Sequence, residues 1–344
     1  MWASFRAPLA SDPVAREREQ CGAIVEGAQR RRWANAAETR RARGFAPPGR
    51  VGPPPRWHRI ELVGRATTRR RRSPREAPQD FFSKPLEVAA YENAAWSRAA
   101  SSYDRGFGRL VKEALPALLT GVAAGPGDRV LDLGSGTGLA AAAAARLGAE
   151  VVGVDFSPVM VAVAEQSHQG IDFRVGSVEE LPFEEQVFDV AIANFALHHS
   201  GAPESVLREV HRVLAPGGRL GFTVWAEPEA LEAFGLFFAA VEKHAGAVEL
   251  PHGPLFGVSD PDALESLVDD AGFGAVAVRR LSLSWRTGSL DPYLAAFRDW
   301  ADLGRLPLEG QKRIEEAVRR GAEAYRTDHG FEMPNPAVLV IGVN

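Results

Sequence analysis

Cysteine is almost missing from this chain: Cys21 is the only one in 344 residues. That excludes a disulfide framework and a thiolate-built metal site, and it suits a reducing compartment. Long apolar runs are also lacking. The longest alanine-rich stretch, residues 139–145, is interrupted by Arg146 and Gly148, so no membrane-spanning helix is expected. The first twenty residues hold Asp12, Glu17 and Glu19 and no apolar core, which argues against a secretory leader and predicts a cytoplasmic protein. His58, His168, His211, His244, His252 and His329 are scattered without metal-ligand spacing, so no metal is expected.

Lysine is absent from residues 1–80, where 18 arginines face 8 acidic residues, a surplus of +10 that leaves −14 on the remainder of a chain of net charge −4. Pro47, Pro48, Pro53, Pro54, Pro55 and the arginine run at 69–72 interrupt any periodicity. Residues 1–80 therefore read as a disordered, Arg-rich N-terminal extension. The competing reading of such a basic head is a nucleic-acid arm.

Order is predicted from about Phe81. Ala95, Ala99 and Tyr103, then Leu110, Val111, Leu115 and Leu118, recur at helical spacing. From Asp128 strands alternate with helices, the pattern of a doubly wound α/β fold whose mostly parallel sheet is covered on both faces. Strands are expected at 129–133, 150–154, 171–175, 187–193, 219–225, 275–283 and 337–343, seven in all. Ser157-Pro158 and Asp260-Pro261 open helices, while Gly148 and Gly272 close them. Residues 227–257 form an inserted helical segment, and further helices are expected at 294–302 and 312–325.

The chemistry concentrates at the carboxyl ends of these strands. Val130-Leu131-Asp132-Leu133-Gly134-Ser135-Gly136-Thr137-Gly138 stands between a strand and a helix. A tight βα turn needs residues without Cβ, so that the backbone reaches unusual φ values and a ligand can approach the N–H groups. Asp155, at the end of the second strand, is placed to accept both hydroxyls of a ribose. Gly176-Ser177-Val178 follows the third strand, where a hydroxyl and backbone groups can meet adenine. Asn194-Phe195-Ala196-Leu197-His198-His199 leaves the fourth strand at the edge where open α/β sheets bind ligands.

In this order, the segments resemble the class I S-adenosylmethionine-dependent methyltransferases, in particular the ubiquinone- and menaquinone-biosynthesis group. The resemblance covers residues 91–344 and implies a Rossmann-like methyltransferase fold, with a cofactor core at 128–226 and a substrate cap plus C-terminal strands at 227–344. Asp132, Gly134, Gly136 and Gly138 match the family's first motif, with Ser135 and Thr137 between them. Asp155 matches its ribose-binding acid, and Tyr103-Asp104 its entry segment over the cofactor. Ser177 stands where the family usually has Asp, so adenine is expected to lean more on Val178 and Phe156; Asn194 and Phe195 complete the cofactor set. The implied reaction is in-line displacement of a methyl group toward a small-molecule acceptor, with S-adenosylmethionine as cofactor and no membrane or nucleic-acid partner. The group has no universal catalytic residue. An imidazole titrates near ~6.5 and is a natural proton acceptor at neutral pH, which makes His199 the candidate base; His198 is expected to turn toward the packing helix.

Three rival readings differ in testable ways. A nicotinamide-dependent oxidoreductase would share the glycine turn and Asp155 but space its glycines differently. A nucleic-acid methyltransferase using the basic arm would be expected to carry an Asn/Asp-Pro-Pro-aromatic tetrad, whereas Phe195-Ala196-Leu197 follow Asn194. A cofactor-binding protein without catalysis is the third.

Overall fold

The computed structural model describes residues 85–245 and 259–344, with side chains from Val88 onward. The expected basic extension therefore lies outside the described residues, as does the second half of the expected insertion.

Seven strands form one sheet: β1 (Arg129–Leu133), β2 (Glu150–Asp155), β3 (Asp172–Val175), β4 (Phe188–Asn194), β5 (Leu214–Trp225), β6 (Gly274–Leu281) and β10 (Ala337–Val343). Their order is β3-β2-β1-β4-β5-β10-β6, parallel except for β10, which runs antiparallel to both its neighbours. β1 lies between β2 and β4, so the strand order reverses there; the carboxyl ends of these three strands open the crevice in which such sheets bind ligands.

Alternation along the strands sets the two faces. Val130, Val190 and Ile192 pack with α3 (Leu115–Gly121), α4 (Leu139–Arg146) and α5 (Pro158–Ser167). Leu131, Leu133, Ala191 and Ala193 pack on the opposite side with α6 (Pro203–Val213) and α8 (Pro261–Asp270). Alanines 140–144 of α4 are all buried; their small side chains let that helix lie close to the strands.

Helix starts follow the sequence signals. Ser157 Oγ accepts the Met160 N–H ahead of Pro158, and Asp260 accepts that of Ala263 at 2.9 Å. Gly148 closes the α4 region at φ +87°.

Two features depart from expectation. β5 begins at Leu214 rather than Arg219: Phe188 pairs with Leu214 and Val190 with Arg219, so residues 215–218 stand opposite Asp189 alone and form a bulge with three extra residues. Asn344 pins that bulge, accepting the Gly217 N–H and donating to Gly218 O, each at 2.8 Å. The second departure is a small antiparallel sheet, β7 (Ser284–Thr287), β9 (Gly330–Pro334) and β8 (Arg326–Thr327). Its strands are two to five residues long, too short for an alternating pattern to register.

This sheet, α1 (Pro85–Ala99), α2 (Phe107–Val111), α7 (Glu232–Ala245), α9 (Asp291–Trp300) and α10 (Leu308–Ala322) build a third hydrophobic cluster. Its centre is aromatic: Phe107 meets Phe234, Phe297 and Trp285 at centroid distances of 5.0 to 6.2 Å. Trp225, Trp285, Phe234 and Phe237 are all buried in it. Among the described residues no helix is long and apolar enough to cross a membrane.

Candidate active site

A cleft of about 1260 Å³, its open mouth included, runs from the carboxyl ends of β1, β2 and β4 into the aromatic cap. At its floor are Gly134 and Gly136 of the first turn, and all three glycines of that turn are at positive φ: Gly134 +62°, Gly136 +54° and Gly138 +86°. Their demands differ. A Cβ on Gly134 would come within 2.5 Å of Ala196 Cβ, and one on Gly138 within 2.6 Å of His168 and 2.8 Å of Phe173. One on Gly136 would meet nothing within 4 Å, so Gly136 is left bare toward the cleft by its backbone conformation and not by packing.

Asp155 ties this turn to β2. Its Oδ2 accepts the Gly136 N–H and its Oδ1 the Ser157 N–H, each at 2.8 Å. The carboxyl is buried and its pKa is raised, because burial outweighs the two backbone hydrogen bonds. A carboxylate offers about four acceptor sites; two are spent on the backbone, which leaves two for hydroxyls in the cleft.

The expected cofactor residues divide into two groups. Tyr103, Gly134, Gly136, Asp155, Phe156, Ser177, Val178, Asn194 and Phe195 line the cleft, together with His199. Asp132, Ser135, Thr137 and Gly138 do not line it, and each has a structural task instead. Gly138 is the N-cap of α4 and has no side chain to offer; Asp132 Oδ2 supplies the missing acceptor for the Ala141 N–H at 2.8 Å. Burial, partly offset by that bond, raises the Asp132 pKa to about 7. Ser135 is buried and donates its N–H to Val154 O, joining the turn to β2. Thr137 donates its hydroxyl to Asp104 Oδ1 at 2.6 Å, fastening the entry segment onto the turn. Tyr103 itself is half-buried and its ring meets Trp96 edge-on at 5.6 Å. Ser177 Oγ accepts the Glu179 N–H at 3.1 Å.

The end of β4 is held open by a polar relay. Thr223 Oγ1 donates to Asn194 Oδ1 at 3.0 Å and accepts the Phe195 N–H at 2.9 Å, while Asn194 Nδ2 donates to Val111 O at 3.2 Å. Phe195 adopts φ +56°, a conformation costing a non-glycine residue about 1–3 kcal/mol, and stacks on Trp225 at 3.9 Å. The strained residue turns the chain so that the two histidines follow on a short 3-10 turn.

These histidines occupy different environments. His198 is 1% exposed, and burial followed by the neighbouring His199 charge drives its pKa well below the usual imidazole value. His199 lines the cleft; its Nδ1 stands 2.9 Å from Glu92 Oε1 on α1 and its ring meets Trp96 edge-on at 5.2 Å. Neither Glu92 nor Trp96 was singled out in the sequence. Their i, i+4 spacing, in phase with Ala99 and Tyr103, was the available signal. Among the described residues no group of three or more His, Cys, Asp or Glu is disposed to hold a metal.

A methyltransferase-domain family model matches residues 131–222. Demethylmenaquinone methyltransferase of Clavibacter sepedonicus is 31% identical over 224 residues, 59% of this chain and 89% of that protein. The chain belongs to the class I methyltransferases of the ubiquinone and menaquinone type. Other relatives of this methyltransferase differ in name: an arsenite methyltransferase of Halobacterium salinarum is 31% identical over 161 residues, 44% of this chain and 39% of that protein. Among solved structures, the YcgJ protein of Bacillus subtilis aligns with 67% of this chain and 98% of its own at 20% identity and a TM-score of 0.46.

Proposed function

We propose that this methyltransferase uses S-adenosylmethionine to methylate a small, largely apolar acceptor held in the aromatic part of the cleft. The observation that carries the reading is the continuity of one cleft from Gly136 and Asp155 to Trp96, Phe238 and Trp300. A nucleoside and an apolar partner can therefore be held side by side. The residues fit the cofactor: Gly136 leaves open space at a positive φ, and Asp155 keeps two acceptor sites beyond its backbone bonds. Asp155 would hold the ribose, and Ser177, Val178 and Phe156 the adenine.

When bound, S-adenosylmethionine supplies a methyl group already activated on a sulfonium. The chain's own work is to orient the acceptor in line and to exclude water, which the aromatic walls favour. Where the acceptor atom carries a proton, His199 is the group placed to remove it. Relatives include both demethylmenaquinone and arsenite methyltransferases, so kinship alone leaves the acceptor open; the apolar aromatic walls favour a ring-bearing organic acceptor over a small inorganic one. The test is calorimetry with S-adenosylhomocysteine followed by an acceptor screen with methyl-labelled cofactor. Transfer to aromatic hydroxyl or enol compounds supports the reading, and transfer to arsenite alone contradicts it.

A further inference from the structure

Helix α1 presents Glu92, Asn93, Trp96 and Ser97 on one side. Two of these dock it onto the turn after β2: Asn93 Nδ2 donates to Phe156 O at 3.5 Å, and the hydroxyls of Ser97 and Ser157 are 3.0 Å apart. The other two face the cleft beside His199. Glu92 is 3% exposed, and a carboxyl so buried among rings is costly unless a partner meets it. Its Oε1 has His199 Nδ1 at 2.9 Å, while its Oε2 has no hydrogen-bond partner among the described residues. Nδ1 is itself shut off from solvent, so the 14% exposure of the His199 side chain belongs to the rest of the ring.

We infer that Glu92 is the positioning residue for His199: it keeps the proton of the neutral imidazole on Nδ1 and turns the Nε2 lone pair into the cleft. The inference rests on His199 being the base proposed above. In the step so arranged, the acceptor atom bonds to the methyl carbon, the sulfur–carbon bond breaks with its electron pair going to sulfur, and the acceptor's proton passes to Nε2. The Glu92–His199 pair is at ion-pair distance without hydrogen-bond alignment, and contacts of this kind tighten when substrate binds. Because α1 is docked at Phe156 and Ser157, directly after Asp155, the part of the chain that orients the base also abuts the cofactor turn.

Other ionisable groups stand near the ring. Asp155 approaches from the end of β2, His198 is buried at a centroid distance of 4.1 Å, and Glu179 is engaged by the Ser200 hydroxyl at 2.6 Å. Glu92 is the carboxyl that meets Nδ1.

The test is nitrogen NMR of the full chain with labelled histidine and S-adenosylhomocysteine present, His199 being assigned from the His199→Gln spectrum. The expected wild-type spectrum has a protonated Nδ1 and a bare Nε2 in the neutral ring. Glu92→Gln, whose amide can offer Nδ1 a donor as well as an acceptor, is expected to mix the tautomers. A wild-type proton on Nε2, or an unmixed tautomer in a folded Glu92→Gln, overturns the inference. The wild-type tautomer decides the matter even if the variant fails to fold. Calorimetric binding of S-adenosylhomocysteine is a separate readout: its failure removes the cofactor reading, whereas intact binding with the wrong tautomer removes only the role of Glu92.

Discussion

Asp132 Oδ2 accepts the Ala141 N–H at 2.8 Å, so the acidic residue of the glycine motif caps a helix rather than facing the cleft. The cap is made by a carboxyl whose pKa is raised to about 7 by burial. An acid raised in the folded state binds more protons there than in the unfolded chain, so its contribution to stability falls as pH climbs from the ordinary carboxylate range to about 7 and is level above that. Asp132→Asn keeps an acceptor for Ala141 and removes the titration. In thermal melts between about pH 5 and pH 8, the variant is expected to lose less stability than wild type; equal slopes would refute the assignment.

The relay at the end of β4 predicts a stability effect of a different kind. Thr223→Val preserves shape but leaves the buried Phe195 N–H without its acceptor and Asn194 without a donor. Denaturant unfolding should show a loss of about 1–3 kcal/mol. Release of Phe195 from φ +56° would also loosen the Trp225 stack, visible as a change in tryptophan fluorescence.

The doubly wound core was legible because its signals are local. Strands buried on both faces read as apolar runs, and Ser157-Pro158, Asp260-Pro261, Gly148 and Gly272 mark helix ends. The glycine turn and Asp155 also stand at strand ends that local pattern marks, and His198, expected to turn toward the packing helix, is buried. What the sequence could not give were the relations between distant segments. Asp132 turns to Ala141 because Gly138 cannot cap, Thr137 is taken by Asp104, and Glu92 meets His199 across more than a hundred residues. The three-stranded sheet escaped because its pairings, such as Trp285 with Met333, are also long-range.

His199→Ala is expected to lower kcat on the acceptor found by screening by about 10²-fold, with little change in affinity for S-adenosylhomocysteine. An unaltered rate would mean that proximity alone drives the transfer.

Whether Gly136 and Asp155 hold the nucleoside of S-adenosylmethionine is decided by titration calorimetry with S-adenosylhomocysteine and with NAD. Asp155→Ala should weaken S-adenosylhomocysteine binding by about 2–3 kcal/mol, because the charge-assisted bonds to the ribose are lost along with the acceptor that pins Gly136. Gly136→Val should abolish binding by placing methyl groups in the open space over the turn. Wild type is expected to bind S-adenosylhomocysteine with micromolar or tighter affinity and not to bind NAD; tight NAD binding, or S-adenosylhomocysteine affinity indifferent to both substitutions, would show that this turn is not the nucleoside site.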